Sequence, residues 1–181
     1  MTQPPIRFRA TPTLAALALV AGLTLRPGAT AADTDNRLID YKAFASQVAE
    51  VGEMRQTHRV SEAEFLRMAA DTSTVILDAR SQEKFEMLHV KGALHLSLPD
   101  MTEADLARII PDKNTRILIY CNNNFLNSPA AFPAKAPSAS LNLHTFNALY
   151  SYGYRNVFEL KPLLDIQKTK IPFAGTLATP K

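Results

Sequence analysis

Cys121 is the only cysteine in this chain of 181 residues. It closes the apolar run Ile117-Leu118-Ile119-Tyr120 and is followed by Asn122, Asn123 and Asn124. A single thiol can be a nucleophile, one half of an intermolecular disulfide, or an inert core group. It cannot form a thiolate cluster, and His58, His89, His95 and His144 lack close metal-ligand spacing, so no metal site is expected. No nucleotide-binding loop or cofactor motif is visible, and no cofactor is expected.

As a nucleophile the sulfur must ionise. A free thiol, with a pKa of about 8.5, is only a few per cent thiolate at neutral pH. Lowering that value by about two units takes roughly 2.7 kcal/mol in favour of the anion. Backbone N–H groups curled around the sulfur, with a helix N-terminus behind them, supply stabilisation of this kind. The cysteine therefore belongs at a strand–loop–helix junction.

Asn122, Asn123 and Asn124 then become candidate substrate-binding residues. They could be amide donors, or turn residues that tolerate the left-handed region and fold N–H groups toward an anion. An ordinary asparagine-rich turn gives the same sequence, and Asn127 shares both readings. Asp78 and Arg80 follow a second compact apolar run, Thr74–Leu77. They are either a substrate-binding pair beside the sulfur or a structural ion pair, with Glu83 as another partner for Arg80. His144, in the helix that follows, could approach Cys121 as a base or donor, or serve packing alone.

The N-terminus gives the lone cysteine its context. Arg7 and Arg9 precede an apolar stretch, Leu14–Leu25, and then Ala29-Thr30-Ala31. A basic start, a short apolar stretch and small residues predict a secretory signal over residues 1–31, cleaved near Ala31. The stretch is shorter than the roughly 20 residues a membrane span needs, so no stable membrane anchor is expected. Pro12 and Pro27 would also suit the ends of a short core helix. Residues 1–31 hold three arginines and no acid; taking three from the twenty basic residues leaves seventeen against seventeen acidic ones. The basic character thus belongs to the leader, and nucleic acid is not an expected partner. A periplasmic or secreted location is expected. Exported domains usually pair their cysteines, which makes an unpaired one informative.

Helical and strand patterns alternate along the rest. Tyr41, Phe44, Val48 and Val51 predict a leading amphipathic helix over residues 40–54, within an N-terminal extension of residues 32–57. His58–Val60 reads as a short strand, and Ser61-Glu62-Ala63-Glu64 as a capping box that opens a second helix. Thr74–Asp78 reads as a strand, Ser81 as the cap of a short helix, and Ala93–Leu96 as another strand. Thr102 opens a helix that Pro111 stops. After Cys121 comes an irregular stretch, a helix from Asn142 to Tyr152 ended by Gly153, and a last strand, Asn156–Leu160. This order predicts an α/β domain with a parallel sheet covered on both faces. Ligands of such sheets bind beyond the carboxyl ends of the strands, where Asp78 and Cys121 both lie.

Ile76–Leu98 resembles the first signature of the rhodanese family, at Asp78, Arg80, Glu83, Phe85, His89, Gly92 and Ala93. Ile117–Cys121 is similar to that family's strand into the catalytic cysteine, and Tyr152–Val157 to its last helix exit and strand. The resemblance covers residues 58–165, with an irregular insertion at about 125–140 and a C-terminal tail over 166–181. It implies a doubly wound domain with a central, mostly parallel five-stranded sheet. It also implies that Cys121 takes sulfane sulfur from a donor such as thiosulfate and holds it as a persulfide for a thiol or other acceptor.

The sequence departs from the family after the cysteine. From Cys121 to Gly153 is 32 positions, well beyond the family's short loop, and the added segment carries Pro129, Pro133 and Pro137. Long irregular loops inside compact domains are functional or mobile. Whether a helix N-terminus still reaches Cys121 is left open by this insertion. Asn122–Ser128 contains no arginine or lysine, which sets aside the phosphatase-like branch of the family, whose loop arginine grips phosphate. Two functions are expected from these features: an exported sulfurtransferase acting through Cys121, or a catalytically silent module that binds a small anion or an exported protein through the loop after it.

Overall fold

The computed structural model describes residues 36–178, so the signal expected over residues 1–31 lies outside the described residues. The chain divides into residues 1–39 and residues 40–181. In the first unit the described residues form a short turn, with Ile39 N donating to Asn36 O.

Helix α1 (Tyr41–His58) opens on Asp40, whose carboxylate accepts from Ala43 N at 2.8 Å. It runs one turn further than its apolar spacing predicts and passes directly into β1 (Arg59–Val60). Ser61 then caps α2 (Glu62–Ala69), its hydroxyl accepting from Glu64 N as the capping box requires. Strand β2 (Thr74–Asp78) leads to α3 (Gln82–Met87); Ser81 stands at its N-cap without making a side-chain bond. Two short strands follow, β3 (His89–Val90) and β4 (Leu94–His95). Thr102 caps α4 (Glu103–Ile109), and β5 (Arg116–Tyr120) carries the chain to Cys121. The stretch after Cys121 contributes a 3-10 turn at Asn122–Asn124, β6 (Phe125–Leu126) and a second 3-10 turn at Pro137–Ala139.

Helix α5 (Leu141–Ser151) ends on Gly153 at φ +88°, with Tyr154 N closing back onto Leu149 O. The last strands are β7 (Val157–Leu160), β8 (Leu164–Asp165) and β9 (Phe173–Ala174). The main sheet has the order β1-β7-β5-β2-β4, and all four neighbouring pairs are parallel. The expected five-stranded α/β architecture is thus present.

Side-chain alternation divides the core into two layers. Ile117 and Ile119 of β5 pack with Val51 of α1, Leu106 of α4 and Phe146 and Leu149 of α5. Leu118 and Tyr120 face the other way, toward Phe65 and Met68 of α2. Residues 166–178 are not a loose tail. Ile171 is fully buried and β9 pairs antiparallel with β3. The insertion is irregular but pinned: Ala131 and Phe132 are buried, and Phe132 packs against Phe125 and Phe173. Among the described residues no helix is long and apolar enough to cross a membrane.

Candidate active site at the carboxyl ends of the sheet

Register decides which side chains meet. Leu77, Ile119, Glu159 and Arg59 are aligned across four parallel strands. Cys121 is still extended, at φ −147°, and continues the odd-numbered series of β5. It therefore emerges on the α1 and α5 face of the sheet, buried to 1% exposure.

The loop that follows is built from asparagine amides. Asn124 donates from Nδ2 to Leu160 O at 2.8 Å and Pro162 O at 3.1 Å. Its Oδ1 accepts from Cys121 N at 2.9 Å and from Asn142 Nδ2 at 3.1 Å. One buried side chain thus ties the cysteine, the exit of β7 and the first turn of α5 together. Asn123 makes a two-bond clasp with the backbone of Lys135, at 2.8 and 2.9 Å, which moors the insertion. Asn122 is buried. The amides of Asn123 and Asn124 are therefore spent on the frame of the site. Asn127 adopts φ +65°, the left-handed conformation its type tolerates.

The N-cap residue of α5 does reach the sulfur. Ser140, which precedes α5, holds its hydroxyl 3.4 Å from Cys121 Sγ. No acidic residue stands in the first turn of α5, so its positive end is unquenched. Asn142 carries a further mark. Its orientation is fixed through Asn124, whose own Nδ2 is committed to two carbonyls, and this leaves Asn142 Oδ1 buried without a partner among the described residues.

Cys121 lies against a cavity of about 210 Å³, which Ser140, Asn142, Arg55, Arg59, Glu159 and Lys161 also line. Glu159 is 2% exposed and accepts from Arg55 at 3.0 and 2.6 Å and from Arg59 at 2.8 Å. A buried carboxylate requires such partners. Three cations face one anion at this wall, giving a net positive field beside the thiol. A larger cavity, about 730 Å³, lies between Lys91, Ser128, Gln167 and Phe173 and does not touch Cys121. Among the described residues no group of three His, Cys, Asp or Glu could hold a metal ion.

Asp78 and Arg80 stand elsewhere. Asp78 pairs in register with Tyr120, one step from Cys121, so both side chains point to the opposite face. There Arg80 binds the Asp78 carboxylate at 2.6 and 3.0 Å and donates to Ala131 O and Leu88 O. Burial, with the Asp78 carboxylate beside it, raises the Tyr120 phenol well above its ordinary value, and its O–H donates to Asp78 at 2.5 Å. Neither Asp78 nor Arg80 lines the Cys121 cavity; they form the structural ion pair that was the other reading of these residues. His144 is exposed on α5 and does not line that cavity either.

Sequence reasoning missed Arg55, Arg59, Lys161, Ser140 and Asn142. One signal was present: Glu159 interrupts the apolar strand Val157–Leu160, and a charge at a sheet position calls for a cationic partner.

A family model described as "Rhodanese-like domain" matches residues 61–161, more than half of the chain. Thiosulfate sulfurtransferase PspE of Escherichia coli (strain K12) is 37% identical over 46 residues. That match covers 25% of this chain and 43% of that protein, so less than half of the relative is spanned. Among solved structures, the BH2092 protein from Bacillus halodurans aligns with a TM-score of 0.50 at 19% identity, over 74% of this chain and 88% of that one. The rhodanese-like domain of the Alr3790 protein from Anabaena sp gives 0.48 at 21% identity, over 68% and 85%. With a matching family model across four of the five strands of its sheet, and its single cysteine at the exit of the central strand, the chain belongs to the rhodanese-like domain family.

Proposed function

We propose that this protein is an exported sulfurtransferase that carries sulfane sulfur as a persulfide on Cys121. The observation that carries the reading is the position of Sγ, 3.4 Å from the Ser140 hydroxyl at the start of α5, against a cavity with three cations. A hydroxyl donor and a helix N-terminus both stabilise an anionic sulfur. The similarity to a thiosulfate sulfurtransferase points to the same donor.

In the first half-reaction the Cys121 thiolate attacks the outer sulfur of thiosulfate. A new S–S bond forms to Cys121, the S–S bond of thiosulfate breaks, and sulfite leaves with the electron pair. In the second, a nucleophilic acceptor attacks the terminal sulfur and the thiolate is released. With cyanide the product is thiocyanate; with a thiol it is a low-molecular-weight persulfide. No second cysteine can resolve the persulfide within the chain, so it waits for an external acceptor.

Thiosulfate and cyanide together are expected to give thiocyanate with the wild-type chain and only background with Cys121→Ser. Background rates from the wild type with thiosulfate and with other sulfane donors would contradict the reading. Export is tested separately. N-terminal sequencing of chain recovered from a periplasmic fraction is expected to begin at residue 32; an intact N-terminus in the cytosol would contradict export.

A further inference from the structure

Arg55 and Arg59 both lie before residue 61, where the match to the family model begins. They nevertheless line the cavity at Cys121. Arg55 is on the last turn of α1, and its two-pronged contact is enough to neutralise the buried Glu159 carboxylate. Arg59 is therefore surplus to that need. It engages Glu159 through Nε alone, at 2.8 Å, which leaves its two terminal amino groups without a partner among the described residues. Its side chain is 41% exposed, against 21% for Arg55. Lys161, just past the end of β7, adds a third positive charge to the same cavity wall.

We infer that the segment preceding the family match, the last turn of α1 and β1, completes the reaction site: Arg59 of β1, braced by Glu159 and by Arg55 of α1, is a specificity-determining residue that selects small donors bearing an anionic tail. The braced guanidinium takes the oxyanion end of the donor and leaves its outer sulfur toward Cys121. At about 210 Å³ the cavity suits a tetrahedral anion of the thiosulfate or thiosulfonate class, not a peptide or a nucleotide. This inference rests on the reading of that cavity as the reaction site, but not on sulfur transfer itself.

The test exploits two alkylating agents of similar size and different charge, iodoacetate and iodoacetamide. Both consume the thiolate, so any change in its population cancels in the ratio of their rates. Second-order rates at Cys121 are measured on the full chain and normalised to a small free thiol. The normalised iodoacetate-to-iodoacetamide ratio is expected to exceed one and to fall as ionic strength rises. In Arg59→Gln the ratio should drop about fivefold, with iodoacetamide little changed. Arg59→Lys should recover most of it. A purely structural Arg59 would slow or speed both reagents alike. Lys161→Gln, at an exposed position bonded to no buried carboxylate, provides a variant that keeps the fold, and a smaller drop is expected.

A wild-type ratio equal to that of the free thiol, a ratio unchanged in both variants, or no labelling by either reagent would each overturn the inference. A chain that prefers iodoacetate yet gains no sulfur from thiosulfate would refute the sulfurtransferase reading and leave the anion-selecting wall intact.

Discussion

One residue beyond β5, the thiol lies on the face opposite a structural cluster. Tyr120 points into the face where Asp78 and Arg80 are sealed together, and Cys121 points into the face where Arg55, Arg59 and Lys161 gather. Arg80 is 1% exposed at its side chain, stacks over the Phe132 ring and donates to Ala131 O, so it fastens the insertion to the sheet. Arg80→Ala strands the buried Asp78 carboxylate and is expected to cost about 3–5 kcal/mol in urea unfolding. Unchanged stability with lost Cys121 alkylation would instead place Arg80 at the site. The position of Cys121 at a strand exit was legible in the sequence. The face of Asp78 was not, because register between distant strands is invisible in a linear chain. Arg55 was equally hidden, since its partner Glu159 is 104 positions away.

Three stretches lie beyond the ends of the family match or in the long connection inside it: α1, the chain between Cys121 and α5, and the segment after β8. Each is tied down by few but specific contacts. The insertion hangs on the Asn123 clasp and on Phe132; its prolines forbid a long helix, as the sequence predicts, but its anchoring partners could not be read from it. The last segment is held to α2 by Glu62, which accepts from the Thr169 hydroxyl and from Lys170 N at 2.6 Å. The Thr169 hydroxyl, helped by the Lys170 and Ile171 amides against the opposing effect of burial, lowers the Glu62 carboxyl below its ordinary 4.5. A lowered carboxyl contributes stability above 4.5 that is lost as pH falls through the folded value. Acidification below 4.5 should therefore loosen residues 169–171, read as a lower protection of the Lys170 amide relative to an unfolded chain at the same pH. Glu62→Gln should show low protection already at neutral pH and little further change. Identical pH profiles for the two proteins would contradict this linkage.

For the molecule as a whole, alternating strand and helix patterns were enough to announce the parallel sheet, because β2 and β5 are compact apolar runs with charge or turn residues at their ends. The two-residue strands β3, β6, β8 and β9 carry no such period. That is why the stretch after residue 165 read as a tail although Ile171 is fully buried in the core. The assembled fold brings the ends of β1, β5 and β7 and the start of α5 to one cavity, and the thiol in it has no partner of its own kind anywhere in the chain. A solitary, cation-flanked thiol is suited to holding a sulfur atom that no neighbouring thiol can remove. The central claim is tested most directly by intact-mass spectrometry of the chain after incubation with thiosulfate, beside Cys121→Ser. The expected result is a gain of one sulfur atom, removed by cyanide or a reducing thiol and absent from the variant. No gain with thiosulfate or any other sulfane donor, in a chain whose Cys121 still alkylates, would contradict the persulfide carrier.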